Sequence, residues 1–164
     1  MEQEVPEAKN YRKFLTKIAQ AESGFDHTIQ NKAGAPAFGY FQFMQGSAKG
    51  RSYNNIKTYS GLDVDTFRND PKSQIKAAIK LAQNFEKSFS SKDLELAKNK
   101  GYSLNGLLAG AWLGGNKGVS KYLNGLVDAS DKHWSSENKG TTVGTRMREF
   151  NFKLGGTINK KPGL

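Results

Sequence analysis

Apolar residues near the start of the chain recur with the period of an amphipathic helix. They lie at Tyr11, Phe14, Leu15, Ile18, Ala19 and Phe25, and together with Glu22 they occupy positions i, i+3, i+4, i+7, i+8, i+11 and i+14. This spacing places them on one face of a helix, the face that packs inward. We predict the helix from about Glu7 to Glu22, ended by the helix-breaking Gly24.

A second amphipathic pattern follows Pro71. Its apolar face carries Ile75, Ala78, Ile79, Ala82, Phe85 and Phe89. Asp70 is suited to cap this helix, with Pro71 as its first residue. The lysine face of the same helix consists of Lys72, Lys76, Lys80 and Lys87. We interpret this face first as a solvated surface and second as a contact for polyanions.

A third helix is predicted at Leu104–Leu113, capped by Ser103. Its interior glycines, Gly106 and Gly110, each cost about 1 kcal/mol in an isolated helix, so we expect close helix packing there. Two more helices are predicted at Val119–Leu126 and at 141–154. Residues 46–69 read as irregular, and 37–44 as a short strand or a helix start. These patterns predict one mainly α domain over 7–154 with little or no β structure, between tails at 1–6 and 155–164.

Composition narrows the possible functions. The chain has 164 residues, enough for one domain with a real core. It has no cysteine, which excludes disulfides, thiol nucleophiles and zinc-thiolate sites. A net charge of +10 attracts polyanions such as nucleic acid, anionic lipid or a bacterial cell wall. The N-terminus does not resemble a signal peptide, and no apolar run is long enough to span a membrane.

Glu22 is the candidate catalytic residue. Its carboxyl group lies on the apolar stripe of the first helix. Partial burial disfavours the ionised form, so the group should keep its proton near neutral pH, as a general acid must. The alternative is a structural glutamate that reaches the rim of the helix and pairs with a lysine.

Three motifs in order carry a resemblance to a known family. They are Glu22-Ser23, Gly39-Tyr40-Phe41-Gln42 and Ala111-Trp112-Leu113-Gly114-Gly115. This series resembles the signature of soluble lytic transglycosylases, and its aromatic second motif resembles the phage branch, especially the catalytic domain of giant-phage endolysins. The resemblance covers roughly Tyr11 to Leu154. Leu113 stands where most relatives have an asparagine, and Phe150 where phage relatives have a tyrosine.

The resemblance implies a lysozyme-like fold with a substrate groove and a single catalytic glutamate. Glycosidic cleavage usually needs two carboxyl groups. The sequence offers no convincing partner for Glu22; the loop candidates are Asp26, Asp63, Asp65 and Asp70. In a lytic transglycosylase one glutamate makes both proton transfers, and the muramic acid 6-hydroxyl closes a 1,6-anhydro ring.

The same resemblance suggests which residues bind the substrate. They are Ser23, Tyr40, Gln42, Trp112 and Gly115. Core packing is the open alternative for Tyr40, Gln42 and Trp112. Asp63, Asp65 and Asp70 lack the ligand pattern of a calcium loop, and His27 and His133 lack a metal-ligand spacing, so we expect no metal and no cofactor.

The predicted function is cleavage of the MurNAc-β-1,4-GlcNAc bond of peptidoglycan, with glycan strands as the partner. We expect a monomer that binds no nucleic acid and inserts into no membrane, made in the cytoplasm and acting in the periplasm or cell wall. A holin-dependent lysis system and a larger virion assembly are both open settings. A hydrolytic muramidase on the same fold is one alternative function, and a non-catalytic basic module that binds walls or polyanions is another.

Overall fold

The computed structural model describes residues 11–30, 37–45, 54–126 and 142–151. The described residues are mainly helical. The elements are α1 (Arg12–Ser23), β1 (Ala37–Phe38), β2 (Phe43–Met44), α2 (Ile56–Ser60), α3 (Val64–Arg68), α4 (Pro71–Ser88), α5 (Ser91–Asn99), α6 (Leu104–Leu123) and α7 (Val143–Glu149). The chain divides into two compact units, Met1–Gln83 and Asn84–Leu164. The predicted mainly α class is confirmed, and the predicted tails and residues 7–10 lie outside the described residues.

Helix α1 follows the predicted apolar stripe, whose first five members are buried. The helix ends as predicted at Gly24, which adopts a left-handed φ of 60°. The expected burial of Phe25 is wrong: its φ is 67°, and 49% of its surface is exposed. Because two successive residues take the left-handed conformation, the chain leaves the helix axis before Phe25 can join the stripe.

The segment 37–44 is a tight hairpin. Strands β1 and β2 pair antiparallel, with Ala37 opposite Met44 and Phe38 opposite Phe43. The alternative of a helix start within 37–44 is wrong, because Gln42 has a φ of 54° and β2 follows it directly. Because each strand has only two residues, the alternation of apolar and polar residues is too short to distinguish a strand from a helix start.

Two short helices replace part of the region predicted to be irregular. Asn55 caps α2 and Asp63 caps α3, each through a side-chain oxygen that accepts a backbone N–H. Helices of five residues are too short to display an amphipathic period, which is why the sequence pattern missed them. Helix α4 begins at Pro71 as predicted, and Asp70 accepts the Ser73 N–H at 3.0 Å.

The second unit is built on α6. This helix is interrupted at Gly115, where φ is 69° and ψ is 175°, a conformation open essentially to glycine alone. A Cβ on Gly106 would lie 2.8 Å from the Met147 carbonyl oxygen, and one on Gly110 2.6 Å from Met147 Cγ. The predicted close packing at these glycines is therefore confirmed, and the partner is α7.

One helix and two helix ends in the second unit differ from the prediction. Helix α5 was not predicted, because its pattern is weak and Leu94 is 42% exposed. The helix expected to reach Leu126 ends at Leu123. The helix expected at 141–154 ends at Glu149, and residues 152–154 lie outside the described ones. Within the described part of the chain, no helix is long and apolar enough to cross a membrane.

Candidate active site

Glu22 and Ser23 close α1. Glu22 is half-buried in the last turn of the helix, between the buried stripe and the solvent-exposed Gly24. Ser23 is buried, and its hydroxyl donates a hydrogen bond of 2.8 Å to the Ala19 carbonyl oxygen. While this bond is kept, the Ser23 hydroxyl can serve another group only as an acceptor.

The loop that follows α1 is braced from two sides. Asp26 accepts hydrogen bonds from the Thr28 backbone N–H at 2.9 Å and the Thr28 hydroxyl at 2.7 Å. The Arg68 guanidinium donates to the Thr28 carbonyl oxygen through Nε at 3.2 Å and Nη2 at 2.7 Å. The same guanidinium lies 5.5 Å from the centre of the Phe38 ring. Arg68 thereby joins the loop, β1 and the end of α3.

The hairpin turn carries Tyr40 and Gln42. The Tyr40 ring is half-buried, and its centre lies 5.6 Å from that of His27. Gln42 Nε2 donates to the Gly39 carbonyl oxygen at 2.9 Å, and the Gln42 carbonyl oxygen accepts from Asn54 Nδ2 at 3.2 Å. Within the described residues, Gln42 Oε1 accepts no hydrogen bond. Gln42 thus stabilises its own turn through the amide nitrogen of its side chain.

A residue that the sequence patterns did not single out connects these segments. Gln74 on α4 is fully buried, and its Oε1 accepts the Tyr40 N–H at 2.9 Å. Its Nε2 lies within hydrogen-bonding distance of three carbonyl oxygens, at 3.0 Å from His27, 2.9 Å from Phe67 and 3.3 Å from Arg68. The sequence contains one indication that Gln74 is buried: it lies one turn before Ala78, on the apolar side of the helix.

The third motif lies in the second unit. Trp112 is 4% exposed, and its ring packs edge to face with Phe85 at 6.2 Å between centroids. This burial favours the core-packing alternative for Trp112. Leu113, at the family's asparagine position, is 6% exposed and packs in the interior. Gly115 forms the interruption in α6 described above.

The family model for the transglycosylase SLT domain matches residues 4–134, most of the chain. The chain belongs to this family. Its members are lytic transglycosylases that act on peptidoglycan, so this protein is an enzyme that cleaves glycosidic bonds. No curated protein and no solved structure matched the chain. The SLT match ends before α7, and the resemblance of that helix to phage relatives stays a prediction.

The aspartates considered as a second acid in this SLT domain have local structural roles. Hydrogen bonds from Thr28 lower the pKa of Asp26, which is exposed. The Thr66 N–H that Asp63 caps lowers the pKa of Asp63, and bonds from the Ser73 hydroxyl and N–H do the same for Asp70. Asp65 is exposed on the first turn of α3. Across the described ranges, no three or more His, Cys, Asp or Glu side chains are grouped so that they could hold a metal ion.

Proposed function

We propose that this SLT domain cleaves the MurNAc-β-1,4-GlcNAc bond by the non-hydrolytic route and leaves 1,6-anhydroMurNAc ends. The observation that carries the proposal is the way the first unit connects the residues of the candidate site. Glu22 and Ser23 end α1, and the following loop is hydrogen-bonded through Gln74 to the turn that presents Tyr40 and Gln42. Family membership supports the enzymatic reading over a non-catalytic basic module.

Glu22 would perform both proton transfers. Its carboxylic acid gives a proton to the glycosidic oxygen, and the bond from that oxygen to C1 of MurNAc breaks, releasing GlcNAc with a free 4-hydroxyl. The Glu22 carboxylate then takes the proton of the MurNAc 6-hydroxyl as the oxygen of that group bonds to C1. The acid is regenerated and no water is consumed. The nucleophile is part of the substrate, so the enzyme has mainly to hold the ring in position.

The hydrogen bonds of the loop aspartates support this route over hydrolysis. A hydrolase usually needs a second carboxylate, which acts either as the base that activates water or as the nucleophile. Asp26, Asp63 and Asp70 each accept hydrogen bonds from a neighbouring residue, and those bonds lower their pKa. Because a lower pKa makes a weaker base, these three groups are poorly suited to activate water.

The product decides between the two routes. Digestion of purified peptidoglycan should release muropeptides that end in 1,6-anhydroMurNAc, lighter by one water than the products of a hydrolase. Mass spectrometry measures this difference directly. Predominantly reducing MurNAc ends would contradict the transglycosylase route, and a second acid would then have to be sought, with Asp65 first.

The role of Glu22 is tested by Glu22→Gln. The amide is nearly isosteric but cannot donate and retake a proton, so lysis of wall fragments should fall by about 10²–10⁴-fold or more. Glu95→Gln is the matched control, because Glu95 is exposed on α5 and the same charge is lost there. Lysis by Glu22→Gln at even a tenth of the wild-type rate, with an unchanged circular dichroism spectrum, would move the catalytic role elsewhere.

Substrate contacts are proposed for the residues around the turn. Gln42 Oε1 can accept a hydroxyl or amide proton of a sugar, and the half-buried Tyr40 ring offers an apolar face and a polar edge. Ser23 would act as an acceptor. For Gly115 we propose a close approach of backbone to substrate, and we keep both Gly115 and Trp112 as weaker candidates because both are buried.

We also propose a role in phage-encoded lysis, supported by the aromatic Gly39–Phe43 segment that resembles the phage branch. The polypeptide would reach peptidoglycan through a holin or as part of a virion. Expression in the bacterial cytoplasm with and without a holin tests this setting. Lysis that needs the holin supports it, whereas lysis at the same rate without a holin contradicts holin dependence.

A further inference from the structure

We infer that Gln74 is a positioning residue for the substrate-binding turn, acting through hydrogen bonds and without touching the substrate. This inference rests on the proposed function of the Gly39–Gln42 turn. Gln74 lies on α4, is fully buried, and has no assigned role in the three motifs that define the resemblance.

The carboxamide of Gln74 connects three separate stretches of backbone. Its oxygen holds the Tyr40 N–H of the turn. Its nitrogen reaches the His27 carbonyl oxygen in the loop after α1, together with the Phe67 and Arg68 carbonyl oxygens at the end of α3. The two N–H groups are therefore shared among three acceptors, and the carbonyl oxygen is also used. Rotating the amide would break its hydrogen bonds to the turn, to the loop after α1 and to the end of α3 at the same time.

Packing keeps the carboxamide in this orientation. Gly39 directly adjoins it: a Cβ at that position would lie 2.4 Å from Gln74 Oε1 and 2.7 Å from Cδ. The Gly39 φ of 81° brings the backbone of the turn onto the amide, and a glycine is required for both reasons. No other side chain supplies the same set of atoms at this length: glutamate lacks the donors, and methionine and leucine lack both kinds of group.

The hydrogen bonds of Gln74 matter for catalysis because the loop after α1 and the Gly39–Gln42 turn, which they connect, carry different parts of the proposed site. His27 follows Glu22 by five residues, and Tyr40 and Gln42 are the proposed substrate contacts. Arg68, which donates to the Thr28 carbonyl oxygen, braces the same loop on its other side. When the reacting groups must be held to within a fraction of an ångström, releasing one side lowers the rate even if the fold survives.

A double-mutant cycle tests the inference. Gln74→Met keeps the length and removes every hydrogen bond, and Gln42→Ala removes a proposed contact on the turn. The matched control is Ile79→Ala, a buried position on the same helix and in the same unit. The kcat/KM for soluble glycan strands is measured for all single and double variants, at a temperature where urea titration shows each to be folded.

Gln74→Met should lower kcat/KM by about tenfold or more, since misplacement of a substrate contact is costly. The same change in the Gln42→Ala background should lower it by less than about threefold, because the two residues act through one turn. Ile79→Ala should have the same small effect in both backgrounds. Amide exchange of the Tyr40 N–H, followed by NMR, should be faster in Gln74→Met and unchanged in Ile79→Ala.

Equal losses from Gln74→Met in the two backgrounds, or a Tyr40 amide that exchanges no faster, would overturn the inference and leave Gln74 a residue of stability only. A fully active Gln42→Ala variant would contradict the proposed substrate contact of Gln42 itself. Gln74 would then be judged by its activity against Ile79→Ala, and equal activity of those two variants would overturn its positioning role.

Discussion

Gly39→Ala tests the packing of the turn against Gln74, with two other glycines as controls. Gly24, Gly39 and Gly61 all have left-handed φ values, of 60°, 81° and 73°. A Cβ on Gly24 or Gly61 would meet nothing within 4 Å, whereas a Cβ on Gly39 would lie 2.4 Å from Gln74 Oε1. The three substitutions therefore share the cost of placing alanine in a left-handed conformation, and only Gly39→Ala adds a close contact with Gln74.

The expected magnitudes follow from that difference. A left-handed conformation costs an L-residue about 1–2 kcal/mol, and the stiffer unfolded chain returns about 0.4–1 kcal/mol. We expect Gly24→Ala and Gly61→Ala to lower the free energy of unfolding by about 1 kcal/mol. Gly39→Ala adds overpacking of about 1–3 kcal/mol and about 1–3 kcal/mol for buried polar groups left unpaired when Gln74 shifts. The additional cost at Gly39 is thus about 2–6 kcal/mol.

Equilibrium unfolding in urea, followed by far-ultraviolet circular dichroism, measures these values. With a slope near 2 kcal/mol/M, the midpoint of Gly39→Ala should fall roughly 1–3 M below those of the controls. The slopes should agree among the variants, since a changed slope would mean a changed denatured state or an intermediate. A Gly39→Ala midpoint equal to the controls would refute the reasoning, because Gln74 would then be free to move aside.

Three further predictions concern charge, pH and helix packing. Binding to wall fragments should weaken as salt rises toward about 0.15 M. Replacing the exposed lysine face of α4 with glutamine should reduce both the affinity and its salt dependence. An unchanged salt dependence would mean that other charges bind the wall. The Ser73 bonds lower the pKa of folded Asp70, so their stabilisation is present above the unfolded pKa of about 3.9 and is lost as pH falls through the folded pKa. Asp70→Ala should therefore cost about 0.5–2 kcal/mol at neutral pH and less in acid, and a pH-independent difference in urea midpoint would contradict this. Gly106→Ala should destabilise more than Gly110→Ala, because the first meets the Met147 backbone and the second its flexible side chain; equal thermal midpoints would contradict the assigned packing of α6 on α7.

Much of this enzyme could be predicted from local patterns. The apolar stripe of α1, its end at Gly24, the capped start of α4 and the close packing at Gly106 and Gly110 all follow from residue spacing and backbone preference. The family followed from three short motifs in order and is confirmed by the SLT match. A helix, its end and its cap are specified by neighbours within a few residues of the chain. The two glycines predicted close packing but not its partner, Met147 on α7.

Other features depend on contacts between residues that are far apart in the chain, and only the tertiary structure shows them. Gln42 is a left-handed turn residue because β1 pairs with β2 on either side of it, and Phe25 is exposed because the chain reverses before it. Trp112 is an interior residue of its unit, although its sequence context suggested a sugar contact equally well. Gln74 shows the reason most clearly: its partners lie as far as 47 residues away, and only folding brings His27, Tyr40 and Phe67 to one buried amide.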